Sequence, residues 1–164
     1  MRILNMLLIF FMCLGDSSAL DKVVYGEDGR IEIDKLKDVK ILNISSSVAA
    51  QINKNKFEKQ GERFLINFIG SSLSEKLNIC KNEKFWQQPS LVNCSGFLLS
   101  ENEIITAGHC FSRRRECQNF YWVFGFSLNQ VKKGFLPKEH VYKCKKIKFM
   151  KMDYFSGEDY AIIE

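Results

Sequence analysis

The stretch that most constrains this chain is residues 94–110, which read CSGFLLSENEIITAGHC. Its two short apolar runs, 97–99 and 104–105, are separated by the polar link 100–103, and this pattern predicts a tight β-hairpin. The second run leads directly into Thr-Ala-Gly-His-Cys, where small residues allow the backbone to pack closely around His109. The sequence therefore predicts a histidine held in a compact turn at the end of a β-hairpin.

This stretch resembles the histidine motif of the trypsin/chymotrypsin-like serine peptidases. The matching residues are 95–97, the string 106–110 and the upstream Cys94. The resemblance implies that Cys94 and Cys110 form a disulfide and that His109 is catalytic. A buried structural histidine beside a disulfide is the alternative interpretation of the same residues.

The last residues of the chain, 158–164, place an acidic pair directly before an apolar strand. They resemble the second motif of the same family, in which the catalytic aspartate precedes such a strand. His109 and Asp159 are 50 residues apart (159 − 109), close to the gap usual in the family. The resemblance implies that Asp159 is the catalytic carboxylate. One alternative is that Asp153, which has no apolar strand attached, is the catalytic carboxylate. Another is that Asp159 is a plain loop carboxylate with no catalytic role.

Acyl transfer by a serine needs a base, a carboxylate that orients the base, and backbone N–H groups that stabilise the oxyanion. His109 and Asp159 fit the first two roles, but the Gly-Asp-Ser-Gly-Gly string in which the family carries its serine does not occur. Ser156 lacks the preceding Gly-Asp, and Ser95 lies within the hairpin. We expect no nucleophile in this chain, and we interpret it as an inactive fragment of a longer enzyme.

The first residues predict a secretory signal peptide, 1–19, cut after Ala19. Arg2 supplies a positive start, residues 6–14 are apolar and uncharged, and small residues precede the cut. The apolar run is too short to span a bilayer. We therefore expect a secreted protein, extracellular or periplasmic, that is not attached to a membrane after signal removal.

An exported protein is expected to keep its disulfides. The predicted strands around 120–126 and 140–149 place Cys117 and Cys144 close enough to pair, which leaves Cys80 without a partner in this chain. A zinc site of His109, Cys110 and Cys117 is a weaker interpretation, since the resemblance gives Cys110 a partner in Cys94. No metal or other cofactor is expected.

These observations divide the chain into a signal peptide (1–19), an N-terminal extension or propeptide-like segment (20–79) and a barrel (80–164). The fold class implied by the resemblance is all-β, with a trypsin-like antiparallel barrel that is the first of two and incomplete. Residues 23–30 resemble the mature N-terminus of bacterial glutamyl-endopeptidase-like members, with a propeptide or surface strand as the alternative, and residues 80–89 resemble one bacterial branch of the family. Within the extension, serines 45–47 predict a capped helix over residues 48–52.

The formal net charge is +5, and removing residues 1–19 leaves it at +5 (23 − 18). No basic stripe with interleaved aromatic residues or nucleic-acid-binding module is evident, so nucleic acid is not an expected partner. Arginines 113–115 are interpreted as a solvated loop tip, with a protease processing site as the alternative.

The function implied by the resemblance is a secreted serine endopeptidase acting on proteins or peptides. A secreted non-catalytic homologue that binds a partner is the main alternative. A small disulfide-stabilised binding protein with accidental motif matches is the third. The sequence does not predict an oligomeric state.

Overall fold

The structure is a computed structural model that describes residues 27–67 and 72–164. The chain divides into two compact units, Met1–Arg30 and Ile31–Glu164, and the strands and helices described here belong to the second. The predicted signal peptide, residues 1–19, lies outside the described residues. No helix in the described part of the chain is long and apolar enough to cross a membrane.

Most of the regular structure is β. The strands are β1 Val48–Asn53, β2 Phe57–Gln60, β3 Arg63–Ile66, β4 Val92–Ser100, β5 Glu103–Thr106, β6 Phe120–Phe124, β7 Phe135–Pro137, β8 Val141–Lys143, β9 Ile147–Asp153 and β10 Glu158–Ile163. Three short α-helices accompany them in the described residues: α1 Val39–Ser46, α2 Leu73–Leu77 and α3 Leu128–Lys132.

Seven strands form one antiparallel sheet in the order β8-β6-β1-β4-β5-β10-β9. Its two edge strands, β8 and β9, are separated along the chain only by residues 144–146, so the sheet curls back on itself. The backbone N–H groups of Lys145 and Lys146 donate to the carbonyl of Glu164, at 2.6 and 3.3 Å, and help to close the curl. The expected all-β class and antiparallel barrel are confirmed.

The large sheet extends upstream of residue 80, because β1 lies within it between β4 and β6. A smaller sheet in the order β2-β3-β7 packs beside it. The helix expected over residues 48–52 is wrong, since these residues belong to β1. A helix does precede the strand: the carboxylate of Asp38 caps α1 by accepting the N–H groups of Lys40 and Ile41 at 2.8 and 3.3 Å.

The predicted hairpin is confirmed in β4 and β5, which are joined by the two-residue loop 101–102. Gly96 pairs with Thr106 at the base of this hairpin. A Cβ at Gly96 would lie 2.5 Å from Cγ2 of Ile104 and 2.8 Å from Cζ3 of Trp122. Glycine is therefore required where the hairpin crosses the indole ring.

Strand β6 is buried on both faces, because successive residues of a strand point to opposite sides. Trp122 lies inside the barrel, and Val123 packs on the other side, towards the smaller sheet. The barrel core consists of Ala49, Ile104, Phe111, Cys117, Trp122, Cys144, Ile147, Ala161 and Ile163. The second core consists of Ile52, Ile66, Leu91, Val123 and Leu136.

Candidate active site

His109 lies in a single 3₁₀ turn, Gly108–Cys110, immediately after β5. The hydroxyl of Thr106, the last residue of β5, is buried and donates to the carbonyl of Ser95 at 2.7 Å. The N–H of Phe111 donates to the carbonyl of Gly108 at 3.1 Å and closes the turn. The buried end of the hairpin thus fixes the backbone, while the His109 side chain remains 64% exposed.

Asp159 reaches this turn from the beginning of β10. Because Ala161 pairs with Thr106 on β5, residue 159 lies beyond the end of β5, beside the histidine turn. The carboxylate contacts His109 through both oxygens: Oδ2 lies 2.5 Å from Nδ1, and Oδ1 accepts the backbone N–H at 2.8 Å. The structure therefore brings together the two residues that the sequence proposed as catalytic.

Close backbone packing at Gly108 makes this approach possible. A Cβ at Gly108 would lie 2.5 Å from the carbonyl oxygen of Lys151, 3.0 Å from Oδ1 of Asp159 and 3.2 Å from the carbonyl oxygen of Tyr160. The turn can therefore sit against β9 and β10 only if residue 108 has no side chain.

The hydrogen bonds of Asp159 lower its pKa below the usual aspartate range. The main cause is the bond with the His109 ring, followed by the bond from the His109 backbone N–H, and both outweigh the opposing effect of desolvation. The carboxylate is thus ionised at neutral pH and can only accept. Nδ1 must then carry the proton of the shared bond, which leaves Nε2 of a neutral ring available as a base.

The alternatives considered from the sequence do not contact His109 in this way. Oδ1 of Asp153 accepts the N–H groups of Phe155 and Ser156 at 2.8 and 3.3 Å. The hydroxyl of Ser156 donates to Glu158 at 2.8 Å. Ser95 lies within β4, where its backbone carbonyl accepts the Thr106 hydroxyl.

Both cysteine pairs expected from the sequence are joined in the structure. The Cα atoms of Cys94 and Cys110 are 6.0 Å apart, and those of Cys117 and Cys144 are 5.6 Å apart. Both distances are usual for disulfides. Cys80 is an exposed free cysteine.

The disulfides also bear on the zinc interpretation. The potential ligand atoms of Cys94, His109 and Cys110 lie within 4.8 Å of one another. Zinc binds cysteine as a thiolate, however, and both of these sulfurs belong to a disulfide. Cys117 is likewise bonded to Cys144. In the oxidised protein this cluster provides only the imidazole as a ligand.

Sequence reasoning missed three supporting features of the site: the Thr106 hydroxyl, the close approach at Gly108 and the second contact of Asp159 through the His109 backbone. The small residues of the motif indicated tight packing around the histidine. No spacing in the sequence showed that the Lys151 carbonyl would be the atom packed against Gly108.

Comparison with known proteins decides the family. A protein-family model described as Trypsin matches residues 81–164, which is 84 of the 164 residues (164 − 81 + 1). The chain belongs to the trypsin family. The match includes β4 to β10 and both His109 and Asp159, and it does not distinguish the bacterial branch of the family. Searches of curated proteins and of solved structures found no significant match.

Membership of the trypsin family makes this a serine-peptidase-like chain, and it gives proteins or peptides as the class of substrate. The matched residues contain the antiparallel strands that present the histidine and aspartate at the same end of the barrel.

Proposed function

We propose that this trypsin-family chain provides the proton-transfer groups of a serine endopeptidase, with His109 as general base and Asp159 as the carboxylate that orients it. The contact of Asp159 with both the ring and the backbone of His109, at 2.5 and 2.8 Å, is the observation that supports this proposal. The contact with Nδ1 orients the ring and favours the tautomer with the proton on Nδ1, and the contact with the backbone N–H holds the carboxylate in place.

In this proposal Nε2 of the largely exposed His109 side chain takes the proton of a serine hydroxyl as the serine oxygen attacks the peptide carbonyl carbon. The imidazolium that forms is stabilised by the ionised Asp159. The same proton then passes to the leaving amine, which allows the peptide C–N bond to break. Water later attacks the acyl-enzyme with the same base, releasing the acid product and restoring the serine.

The proposal assigns no serine within residues 1–164, because the sequence contains no Gly-Asp-Ser-Gly-Gly string. It also assigns no oxyanion donors. We therefore expect that the 164-residue chain by itself does not hydrolyse peptides, even when it is folded. Secretion through a leader at 1–19 remains part of the proposal, and two disulfides are compatible with an oxidising compartment.

The test compares residues 20–164 with the product of the complete reading frame on a broad peptide library. We expect turnover by the complete product alone. In that product, His109→Ala should lower kcat by about 10⁶-fold, and Asp159→Asn should lower it by about 10⁴-fold, because the amide favours the wrong tautomer of the ring.

Asp153→Asn is the matched control, since Asp153 lies six residues away (159 − 153) and is bonded to other groups. It should retain wild-type turnover. Turnover by residues 20–164 that disappears with His109→Ala would show that the chain contains a nucleophile that the proposal overlooks. Equal losses for Asp153→Asn and Asp159→Asn would remove the assigned role of Asp159.

A non-catalytic homologue that binds a partner is the second candidate. It is favoured by an apolar stretch on β4, where Phe97, Leu98 and Leu99 are all exposed. A complete reading frame that ends at Glu164 and yields an inactive protein would favour this candidate over the peptidase.

A further inference from the structure

The two disulfides enclose separate parts of the chain and leave a gap between them. One closes residues 94–110 and the other closes residues 117–144, so residues 111–116 lie in neither loop. A backbone break within residues 111–116 would therefore leave the two pieces without a covalent connection. A break inside either loop would leave its pieces joined.

The basic residues are distributed unevenly between these regions. Seven lysines and arginines lie between Cys94 and Cys144. Four of them, Lys132, Lys133, Lys138 and Lys143, lie inside the second disulfide loop. The other three are arginines 113–115, and all of them lie in the gap.

The gap is accessible while its two ends are anchored. Ser112, Arg113 and Arg115 are exposed, whereas Phe111 and Cys117 on either side are each 1% exposed. No carboxylate of the described residues forms an ion pair with the Arg113 or Arg115 side chain.

The backbone is extended at the first of the three arginines, whereas Arg114 and Arg115 lie in a 3₁₀ segment. Arg113 is extended, with φ −143° and ψ 147°, and the short 3₁₀ segment Arg114–Asn119 begins only after it. An extended peptide can add as a strand to an open sheet edge of a binding protein, and here the extended residue directly precedes the Arg113–Arg114 bond.

We propose that residues 113–115 are a cleavage site for an arginine-directed peptidase, and that cleavage there acts as a switch on the barrel. Water adds across the peptide bond after an arginine, which creates a new carboxylate on that arginine and a new amine on the following residue. The peptidase is supplied by a second molecule, and the reaction needs no other reactant.

Cleavage here would divide the chain between its two site residues. His109 would stay with β1 to β5, and Asp159 would stay with β6 to β10. The pieces would be held together by the pairing of β1 with β6, β5 with β10 and β3 with β7. The fold could persist, but the contact between His109 and Asp159 would now depend on association of two chains. An effect of this cleavage on catalysis rests on the proposed function.

The first experiment exposes the folded 164-residue chain to a trace of trypsin and follows the products by mass spectrometry without reducing agent. Between Cys94 and Cys144, the first bond cut should lie within residues 113–115, and the products should separate in denaturant. Cleavage at the exposed Lys132-Lys133 pair should be slower, because this pair lies at the end of α3 whereas Arg113 is extended, and its products should remain joined by Cys117–Cys144 until reduced.

The variant Arg113→Gln/Arg114→Gln/Arg115→Gln should lose the early separable cut and keep the slower cut at residues 132–133. A second variant with lysine at all three positions keeps the charge, and it should resist a strictly arginine-specific peptidase while its unfolding midpoint matches that of the wild type. The proposal is overturned if any of the four lysine sites is cut before the arginines, or if the arginine-cut pieces stay joined without reducing agent. These outcomes do not depend on turnover, so a failure of the proposed catalytic roles would leave them unchanged.

Discussion

Asp159 is the residue whose titration reports most directly on the site. Its pKa is lowered mainly by the bond with the His109 ring and next by the His109 backbone N–H. We predict that His109→Ala raises the pKa of Asp159 but leaves it below the usual aspartate range, because the backbone N–H remains. The ¹³C carboxyl shift of Asp159, followed against pH, measures this change.

Asp153 is the control within the same protein, because backbone N–H groups of Phe155 and Ser156 lower its pKa instead. Its titration should not change in the His109 variant. An unaltered Asp159 titration would contradict the assigned contact. Since the folded pKa of Asp159 lies below the unfolded value of about 3.9, its ionised form stabilises the fold above that pH. This contribution is lost as the pH falls through the folded pKa.

Gly108 offers a second test at the residue scale. We predict that Gly108→Ala destabilises the fold by about 1–3 kcal/mol, the range for forcing extra atoms into a packed site. The reason is the 2.5 Å distance between the new Cβ and the carbonyl oxygen of Lys151. Gly29→Ala is the control, because a Cβ there would meet nothing within 4 Å. Urea unfolding midpoints compare the two, and equal midpoints would show that the turn adjusts freely.

At the scale of elements, the disulfide between Cys94 and Cys110 ties the histidine turn to β4. The bonded cysteines are 16 residues apart, and a closed loop of about this length is expected to contribute about 3 kcal/mol. We predict that Cys94→Ala/Cys110→Ala lowers the free energy of unfolding by about this amount.

Cys80→Ser is the matched control, because Cys80 is exposed and unbonded. It should leave the unfolding midpoint unchanged, and it should abolish the single free thiol detected in residues 20–164. A double variant as stable as Cys80→Ser would show that the hairpin register alone holds the turn.

At the scale of the whole molecule, lysines of residues 145–151 form ion pairs with glutamates of β5, β10 and the residue after β10. The pairs are Lys148 with Glu103, Lys151 with Glu158, and Lys145 and Lys146 with Glu164. In each case the lysine hydrogen bond is the main cause that lowers the pKa of the glutamate. Because the folded pKa values are depressed, the pairs stabilise the fold fully above the ordinary glutamate value of about 4.3, and this contribution is lost as the pH falls from there through the lower folded pKa values.

We therefore predict that the thermal midpoint falls between pH 7 and pH 3, and that the fall is smaller in 1 M NaCl than at low salt. Salt screens exposed ion pairs of this kind, so in 1 M NaCl they contribute less at neutral pH and less stabilisation is lost when the pH falls. Glu103→Gln should reduce the pH dependence without removing it. A midpoint that stays constant down to pH 3 at low salt would show that these pairs do not stabilise the fold.

The sequence by itself determined the hairpin and its histidine turn, and it carried the resemblance of the histidine motif to the family. These features depend on residues within 94–110, where alternating apolar runs, a short polar loop and the Thr-Ala-Gly-His-Cys string lie together. The aspartate motif could also be recognised from the sequence, because the acidic residue and the apolar strand that positions it are contiguous. Local patterns of this kind specify local backbone, and the resemblance supplied the pairing of the motifs.

Only the tertiary structure decided how distant segments meet. Serines 45–47 form a helix-capping pattern directly before residues 48–53. These residues nevertheless form β1, because their backbone pairs with β4 on one side and β6 on the other. The contact of Asp159 with the His109 backbone and the packing of Gly108 on Lys151 depend in the same way on the register of β5, β10 and β9. Register is set by hydrogen bonds and side-chain packing between strands far apart in the chain, and a local pattern does not contain that information.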